Sequence, residues 1–519
     1  MELQARQLTL NHLDDPVTIA LKYPEAQSII AELCQIEGQR LATKFKELKP
    51  GQAVAYSPRQ LTTLELVIAD LGTLQPSQDQ SKLSPLWQLN SKLETELQAV
   101  LKQAFELAQN SKQYAAKNEQ NQLTVLLGSQ GLTAQELTKL AEQVSLSALL
   151  SEYRFDKYLS RDNRPTRINR LTLGLINGEA TQLMALRRGI AQAEAVANAV
   201  LNARDIVNES PDILTPSALA KVSQEIAALS PQIKLKQFTA TEMHEAGYPA
   251  LAAISAGSDQ AAHFIHLHYR PVERPSQGLT SLGLVGKGVT YDVGGLGLKP
   301  WQGQLGMKAD MAGAAAVLGL FQVLAEYEAI GQPLAIEVHA VILATENLIS
   351  GRAYKADQLL RTRSGKTIEI IHTDAEGRLL LADGIDYLSR QSVDYLVDIA
   401  TLTGAAIKAL GPSYAGLMTT DATLAEKFLA AAADSGEAVW PLPQPKEYQK
   451  LLKGKVADLA NINSGSYTPD AIYGGLFVQE FRGDKPLAHL DIAGPAWDNQ
   501  TGATGYGVQL LLSWLKSYL

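Results

Sequence analysis

From about residue 212 to the C-terminus, short apolar runs with strand character alternate with runs that have helical spacing. This alternation constrains the fold more than any other feature of the 519-residue chain. It predicts a doubly wound α/β domain with a mixed, largely parallel sheet. Such domains bind ligands in the crevice outside the carboxyl ends of their strands. Polar residues that directly follow a strand are therefore the first candidates for a functional site.

The length of the chain favours two domains, and the sequence pattern divides it into three parts. Residues 1–170 mix short β-like runs with Gln- and Lys-rich helical stretches, which predicts a smaller, variable α/β domain at the N-terminus. Residues 171–211 carry a long helical pattern and are predicted to be a linker helix. Residues 212–519 form the predicted doubly wound domain.

Charge and cysteine content narrow the range of partners and of sites. The 46 Lys and Arg residues against 54 Asp and Glu residues give a net charge of -8, which makes nucleic acid an unlikely partner. The single cysteine, Cys34, excludes an intrachain disulfide framework and the cysteine-rich zinc sites, and it fits a reducing compartment. We find no apolar signal segment at the N-terminus and expect no membrane span, so the sequence predicts a cytoplasmic protein without a membrane partner.

Three segments at expected strand ends bring four carboxylates together with three cationic side chains. The first is not a phosphate loop, because Ser281 and Gly288 stand where that pattern requires Gly and then Ser or Thr. Each carboxylate taken singly fits a structural role such as a helix cap or a turn. Together they have the composition of a two-metal hydrolase. The residues are Lys287, Asp292 and Lys299 in the first segment, Asp310 in the second, and Asp374, Glu376 and Arg378 in the third.

Five motifs in order along the chain resemble those of the leucyl aminopeptidase family. They are VGKGVTYDVGGLGLKP, MKADMAGAA, HTDAEGRLLLADG, DIATLTGA and AHLDIAG, and the resemblance extends from about Asn202 to the C-terminus. It implies a metal-dependent aminopeptidase that hydrolyses the N-terminal residue from peptides through a metal-bridged water. It also implies a homohexamer, with a variable N-terminal domain that acts in assembly or in access to the site.

The resemblance further implies a role for each site residue. Lys299 and Arg378 take the two catalytic positions that are not metal ligands, and Arg378 holds a bicarbonate ion. Two divalent ions, zinc or manganese and alternatively magnesium, are expected. The lysine ligand must be the neutral amine, because an ammonium has no lone pair. The implied metal ligands are Lys287, Asp292, Asp310, Asp374 and Glu376, and the implied substrate-binding residues are Met307, Thr401, Leu402, Gly404, Ala493 and Ala496.

The small and apolar pocket residues predict a preference for Leu, Met and similar side chains. Two other functions remain open: a dipeptidase, such as a Cys-Gly hydrolase, on the same site, and a non-catalytic scaffold or nucleic-acid-binding relative. Two positions depart from the family pattern, Val293 in place of Thr or Ser and His372 in place of Asn. They put the metal preference and the pH optimum in question. The closely spaced His263, His266 and His268 are interpreted as structural.

Overall fold

The structure, a computed structural model, forms two compact units, Met1–Asn198 and Ala199–Leu519. The boundary between the units lies inside a long helix, α2 (Ala180–Asn208). The sequence instead predicts a first boundary near residue 170, yet the strand Arg170–Ile176 pairs within the sheet of the first unit. The described residues are 2–8, 17–22, 53–56, 65–70, 122–127, 132–160, 170–176, 179–272, 278–463, 465 and 468–519.

The described strands of the first unit form one sheet with the order β1-β6-β5-β2-β4-β3. All neighbours pair in parallel except β3 and β4, which are antiparallel. Helix α1 (Ala134–Ser151) begins with a capping box between Thr133 and Glu136. The strands are β1 (Glu2–Leu8), β2 (Val17–Lys22), β3 (Ala53–Tyr56), β4 (Glu65–Asp70), β5 (Gln122–Leu127) and β6 (Arg170–Ile176).

The second unit is built on a sheet with the order β15-β14-β17-β13-β9-β10-β8-β7. Its centre, β17-β13-β9-β10, is parallel, whereas β14, β8 and β7 join by antiparallel pairing. This mixed, largely parallel sheet confirms the predicted fold class. The strands are β7 (Ile233–Thr239), β8 (His263–Tyr269), β9 (Ser281–Asp292), β10 (Glu337–Asn347), β13 (Tyr395–Ala400), β14 (Ala415–Thr419), β15 (Val439–Pro441) and β17 (Leu487–Asp491).

Short strands and helices complete the second unit. The short strands are β11 (Leu359–Arg361), β12 (Thr367–Glu369), β16 (Leu459–Ala460), β18 (Trp497–Asp498) and β19 (Gly502–Ala503). The helices are α3 (Pro216–Ala227), α4 (Ala240–Glu245), α5 (Ala250–Ser255), α6 (Trp301–Gln304), α7 (Ala312–Ala329), α8 (Glu376–Ser389), α9 (Gly404–Leu410), α10 (Ala422–Ser435), α11 (Asp470–Gln479) and α12 (Val508–Lys516), with 3-10 turns at Met307–Ala309 and Lys446–Leu452.

Helices cover both faces of the central strand β9, which explains why this strand is buried along nearly its whole length. On one face a Cβ at Gly286 would lie 2.8 Å from the Cα of Ala314 in α7. On the other face a Cβ at Gly384 of α8 would lie 2.7 Å from Val285. Small residues thus let both helices pack closely against the sheet.

Helix α7 belongs to the only described segment, Trp301–Ala329, that is long and apolar enough to cross a membrane by length and composition. From the sequence we expected no segment of this kind. In the structure, 83% of its most apolar window is buried inside the protein. Core helices of soluble proteins have the same composition, and burial against the sheet accounts for it here.

Candidate active site

The carboxyl ends of the four parallel strands present polar groups at one edge of the sheet. Strand β9 ends at Asp292, β10 ends at Asn347 and β17 ends at Asp491. Strand β13 is followed directly by the loop Thr401–Thr403. Because parallel strands end at the same edge, the topology itself gathers these residues. The N-terminus of α8, at Glu376, meets them there through the contacts described below.

Lys287 lies at the centre of this cluster and is almost completely buried. Its Nζ is 2.8 Å from Asp310 Oδ1 and 2.9 Å from Glu376 Oε1, and it donates to the carbonyl of Thr401 at 3.1 Å. Gly377 makes room for it, since a Cβ there would lie 2.6 Å from the lysine Cε. The glycine after Glu376 is therefore required by the position of the lysine.

Lys299 joins the other two carboxylates. Its Nζ is 2.7 Å from Asp292 Oδ2 and also contacts Asp374 Oδ1. Gly294, in the loop after β9, packs against the Asp374 carboxylate: its φ of 89° is in the left-handed region and its Cβ position would lie 2.7 Å from Asp374 Oδ1. The two lysines thus each connect a pair of acidic side chains.

Asp292, Asp310 and Glu376 each offer a carboxylate oxygen within 4.8 Å of those of the other two. All three side chains are buried, and Asp310 Oδ2 has no hydrogen-bond partner. Burying a carboxylate oxygen that accepts no hydrogen bond costs folding free energy unless a cation binds to it. With Asp374, four carboxylates face two ammonium groups, so the fully ionised cluster carries an excess of two negative charges.

The pKa values in the cluster follow from burial and from this crowding. Burial raises the pKa of Asp292 and of Asp310, and neighbouring carboxylates add to both shifts. Burial opposes the charged form of Lys287, but Asp310, Glu376 and Asp292 outweigh it and raise the pKa of the lysine. Lys287 and Lys299 lower the pKa of Glu376, although burial on its own would raise it. The cluster favours cationic groups at its centre.

Asn347 is a site residue that the sequence analysis missed. Its Nδ2 group is 2.9 Å from Asp292 Oδ1, 3.0 Å from the carbonyl of Thr373 and 3.3 Å from Glu376 Oε2. Its side chain is fully buried. The signal was available in the sequence, because Asn347 ends an apolar strand as Asp292 does. Asn347 orients two of the clustered carboxylates.

Asp491, in the AHLDIAG motif, was likewise not singled out. Its Oδ1 accepts hydrogen bonds from the backbone amides of Leu402, at 3.1 Å, and Ala493, at 3.2 Å. Its Oδ2 accepts from the Thr403 hydroxyl at 2.6 Å. One buried carboxylate thus fixes the loop before α9 and the turn after β17.

The six residues predicted to bind substrate fall on three segments. Thr401 donates its hydroxyl to Asp310 Oδ1 at 2.8 Å, which connects the loop to the acidic cluster. Leu402, Gly404 and Ala493 lie on the two segments fixed by Asp491 or directly beside them. Met307 opens the 3-10 turn that leads to Asp310, and Ala496 is buried after β17. That all six line one pocket stays a prediction.

Arg378 is buried in α8, two residues after Glu376. Its Nη1 donates to the carbonyl of Asn461 at 2.9 Å, and its Nη2 is 4.0 Å from Asp470 Oδ1. Its guanidinium carbon lies 5.3 Å from the ring centroid of Tyr473. The Nε group has no hydrogen-bond partner. A buried guanidinium with an unused donor can bind a small anion.

Residues 201–512 match the catalytic domain of the cytosol aminopeptidase family. The chain belongs to this family. It is 39% identical over 387 residues to a probable cytosol aminopeptidase of Cyanothece sp., covering 72% of this chain and 74% of the relative. It is 38% identical over 410 residues to chloroplastic leucine aminopeptidase A2 of Solanum lycopersicum, covering 77% and 69%.

Solved structures agree with this membership. A mutant of tomato leucine aminopeptidase has a TM-score of 0.77 at 30% identity, covering 99% of this chain and 96% of the other. The bottromycin maturation enzyme BotP in complex with Mn has a TM-score of 0.76 at 29% identity, covering 97% and 99%. The cytosol aminopeptidase resemblance predicted from the five motifs is confirmed, and the protein is a leucyl-aminopeptidase-type hydrolase.

Two positions distinguish this cytosol aminopeptidase from the family pattern expected from sequence. The backbone amide of Val293 donates to the carbonyl of Asn347 at 3.1 Å, so this contact does not require a hydroxyl side chain. His372 is exposed, and its Nδ1 accepts a hydrogen bond from the amide of Asp374 at 3.1 Å. Its ring packs where a Cβ of Gly297 would otherwise lie. His372 therefore shapes the turn that presents Asp374.

Proposed function

We propose that this aminopeptidase is a metal-dependent exopeptidase that removes the N-terminal residue of peptides, with Leu, Met and similar residues preferred. The observation that carries the proposal is the buried cluster of Asp292, Asp310 and Glu376 at the strand ends, with two lysines inserted among the carboxylates. Structural ion pairs rarely concentrate so much buried charge of one sign, whereas a site for divalent cations requires it.

The donor set of the cluster fits two divalent ions. We assign Lys287, Asp292, Asp310, Asp374 and Glu376 as the residues that would hold these ions. The unpartnered Asp310 Oδ2 and the negative excess support this assignment. When bound, the ions supply a water of lowered pKa and polarise the scissile carbonyl. Lys287 serves as a ligand in its neutral form, so it has to release its proton when the site is loaded.

Two further cationic side chains act in the reaction without binding metal. Lys299 donates a hydrogen bond to the oxyanion that develops on the scissile carbonyl, a contribution of about 3–4 kcal/mol for a well-placed donor. Arg378 would use its free Nε to hold a bicarbonate ion, which would supply a proton acceptor beside the site. The Thr401–Gly404 loop, with Met307, Ala493 and Ala496, receives the first side chain of the substrate.

Cleavage of Leu-Gly-Gly, compared with N-acetyl-Leu-Gly-Gly at equal concentration, tests the exopeptidase reaction. Only a free amine offers a lone pair that can anchor the substrate, so acetylation should abolish cleavage. Orientation of this kind supplies about 7–11 kcal/mol of barrier reduction in favourable cases. Similar rates for the two peptides would reject the exopeptidase assignment.

The ligand assignment is tested with Asp292→Asn and Glu376→Gln, each of which removes one carboxylate from the proposed ligand set. We expect both to lose turnover and to retain fewer than two ions per chain by elemental analysis, with an unchanged circular dichroism spectrum. Glu426→Gln, at an exposed position on α10, is the matched control. Two ions and near-normal activity in either site variant would show that the ligands are wrongly assigned.

A dipeptidase acting on Cys-Gly uses the same chemistry, and comparing Cys-Gly with Leu-Gly-Gly distinguishes the two substrate classes. If the protein were instead a non-catalytic scaffold or a nucleic-acid-binding protein, it would hydrolyse neither Cys-Gly nor Leu-Gly-Gly. The seven charged residues assigned to ligation and catalysis are all present in the chain, which favours the enzyme. Zinc and manganese are the proposed metals, with magnesium as an alternative. Manganese has the support of the similarity to BotP in complex with Mn.

We also propose a homohexamer in the cytoplasm, without a membrane partner. The support is family membership, the single Cys34 and the relatives named as cytosol aminopeptidases, although other relatives are named as chloroplastic. Light scattering of the purified protein tests the assembly. A monomeric mass at micromolar concentration would exclude it.

A further inference from the structure

A second group of potential metal ligands lies on the same sheet, far from the acidic cluster. Among the described residues, two groups could hold an ion, and this one consists of His268, Glu337 and His339. Glu337 and His339 lie at the start of β10, whereas Asn347 of the active site ends that strand. Eight residues of extended chain separate His339 from Asn347, about 26 Å at the usual rise per residue. The two groups are distinct.

We propose that His268, Glu337 and His339 bind one transition-metal ion, with Zn²⁺ as the best match, at a site separate from the active site. Two imidazoles and a carboxylate, with a position left for water, are a ligand set that zinc uses in proteins. Soft or borderline ions of the Zn²⁺, Cu²⁺ and Ni²⁺ type suit imidazole, whereas Mg²⁺ and Ca²⁺ prefer all-oxygen sites.

Strand pairing brings the three side chains to one face of the sheet. His268 and His339 are directly opposite each other in the antiparallel pair of β8 and β10. Glu337 is two residues before His339 and therefore points to the same side. The His268 Nε2 atom is 2.7 Å and the His339 Nε2 atom 3.8 Å from Glu337 Oε1. Ligands of a tetrahedral zinc ion lie about 3.3 Å apart, so these two distances each have to change by only about 0.5–0.6 Å.

Hydrogen bonds to the Nδ1 side of His339 can hold this ring in the tautomer that leaves Nε2 free to bind a metal. Its Nδ1 is 3.1 Å from His266 Nε2, and His266 Nδ1 is in turn 3.1 Å from the hydroxyl of Tyr387. If His339 donates from Nδ1, its Nε2 lone pair faces Glu337 and is available to a metal. This arrangement, in which the second ring nitrogen is held by a hydrogen bond, is general for metal-binding histidines.

Binding requires two local changes, and both are accessible. The His268 and His339 rings are stacked with their centroids 4.0 Å apart, so they must tilt to direct their nitrogens at one ion. The His268 side chain is 28% exposed and has room to turn. Arg270 Nε, 3.6 Å from Glu337 Oε1, has to move away, and this side chain is 47% exposed. The ion would then connect β8 to β10.

Zinc titration of the chelator-stripped full-length protein against a chromophoric zinc chelator tests the site. We expect His268→Gln and Glu337→Gln each to bind one Zn²⁺ per chain fewer than the wild type. His263→Gln, on the same strand but hydrogen-bonded to Ser217, is the matched control and should bind as the wild type does. Both site variants replace partly exposed side chains by polar ones of similar size, and circular dichroism verifies their fold.

Pulsed electron paramagnetic resonance with Cu²⁺ gives a second readout, because imidazole nitrogens modulate the signal and the proposed catalytic ligands include no histidine. The wild type should show imidazole coordination that His268→Gln weakens. Leu-p-nitroanilide hydrolysis by the metal-loaded His268→Gln enzyme should be unchanged, which separates this site from the catalytic one. Equal zinc stoichiometry in wild type and both site variants, or equal loss in the His263→Gln control, would overturn the proposal. So would a wild-type Cu²⁺ spectrum without imidazole nitrogen.

Discussion

Replacing Gly377 by Ala adds one methyl group beside Lys287 without changing any charge. The new Cβ would lie 2.6 Å from Lys287 Cε and 2.8 Å from its Nζ. Ordinary contact begins at 3.4 Å, so the lysine Cε must retreat by about 0.8 Å, the difference between 3.4 and 2.6 Å. The Nζ contacts of 2.8 and 2.9 Å to Asp310 and Glu376 would then lengthen by up to that amount, to at most about 3.6 and 3.7 Å, which is beyond hydrogen-bond range.

The effects of this substitution on stability and on activity should differ. Alanine is favoured over glycine in a helix by about 1 kcal/mol, which offsets part of the roughly 1–3 kcal/mol cost of overpacking. The free energy of unfolding should therefore change by at most about 2 kcal/mol. A misplacement of about 1 Å in a catalytic site can cost about 10²-fold in rate. Since Lys287 is a proposed metal ligand, we expect kcat/KM to fall by about that factor.

Leu-p-nitroanilide hydrolysis at saturating metal measures kcat/KM, and thermal unfolding measures stability in the same preparation. Gly351→Ala is the control, because a Cβ at that glycine meets no atom within 4 Å. It should match the wild type in both assays. If Gly377→Ala keeps wild-type kcat/KM and metal content, Lys287 does not need its observed position and the assigned role is wrong.

Three further substitutions test other parts of the structure. Asn347→Leu removes the donor to Asp292 and Glu376 and should weaken metal retention by about 10–100-fold in equilibrium dialysis, so unchanged retention would count against its orienting role. Asp491→Ala frees the Thr401–Thr403 loop, which is proposed to receive the substrate, and should lower kcat/KM for Leu-p-nitroanilide while elemental analysis still finds two ions; loss of the ions would mean that its role lies elsewhere. Burial raises the pKa of Asp383 in the folded protein. Its contribution to the free energy of unfolding is therefore fully present below the pKa of the unfolded state and is lost as the pH rises through the pKa of the folded state. Asp383→Asn should therefore gain melting temperature relative to wild type at pH 8 but not at pH 4, and an equal difference at both would refute this.

The fold class could be predicted because the pattern of alternating strands and helices does not depend on long-range detail. The predicted carboxylates and lysines also come together, since Lys287 and Asp292 lie on β9, Glu376 opens α8, and ion pairs join the other members to these three at the same edge of the sheet. The domain boundary was harder to place. Strand β6 (Arg170–Ile176) follows a polar, Pro-containing segment that resembles a linker, and only its pairing with β1 and β5 assigns it to the first unit.

Residues that act through neighbours were missed for a different reason. Asn347 and Asp491 have ordinary identities for a strand end, and their importance arises from donors and acceptors on other strands. His268 was missed for the same reason, because the close spacing of the three histidines alone led us to interpret it as a structural residue. Its partners Glu337 and His339 are about 70 residues away in sequence and become neighbours only through the register of β8 and β10.

Small residues connect the fold to the chemistry of the acidic cluster. A Cβ at Gly313 would lie 2.0 Å from the carbonyl of Ile399, and one at Gly286 would meet α7, so α7 can approach the sheet only because both are glycines. This close approach places Asp310, which precedes α7, within reach of Lys287 on β9. Gly377 does the same for Glu376 on the other side. A larger residue at any of these positions would displace a helix or a charged side chain of the cluster, so the packing of the sheet and the geometry of the cluster depend on the same glycines.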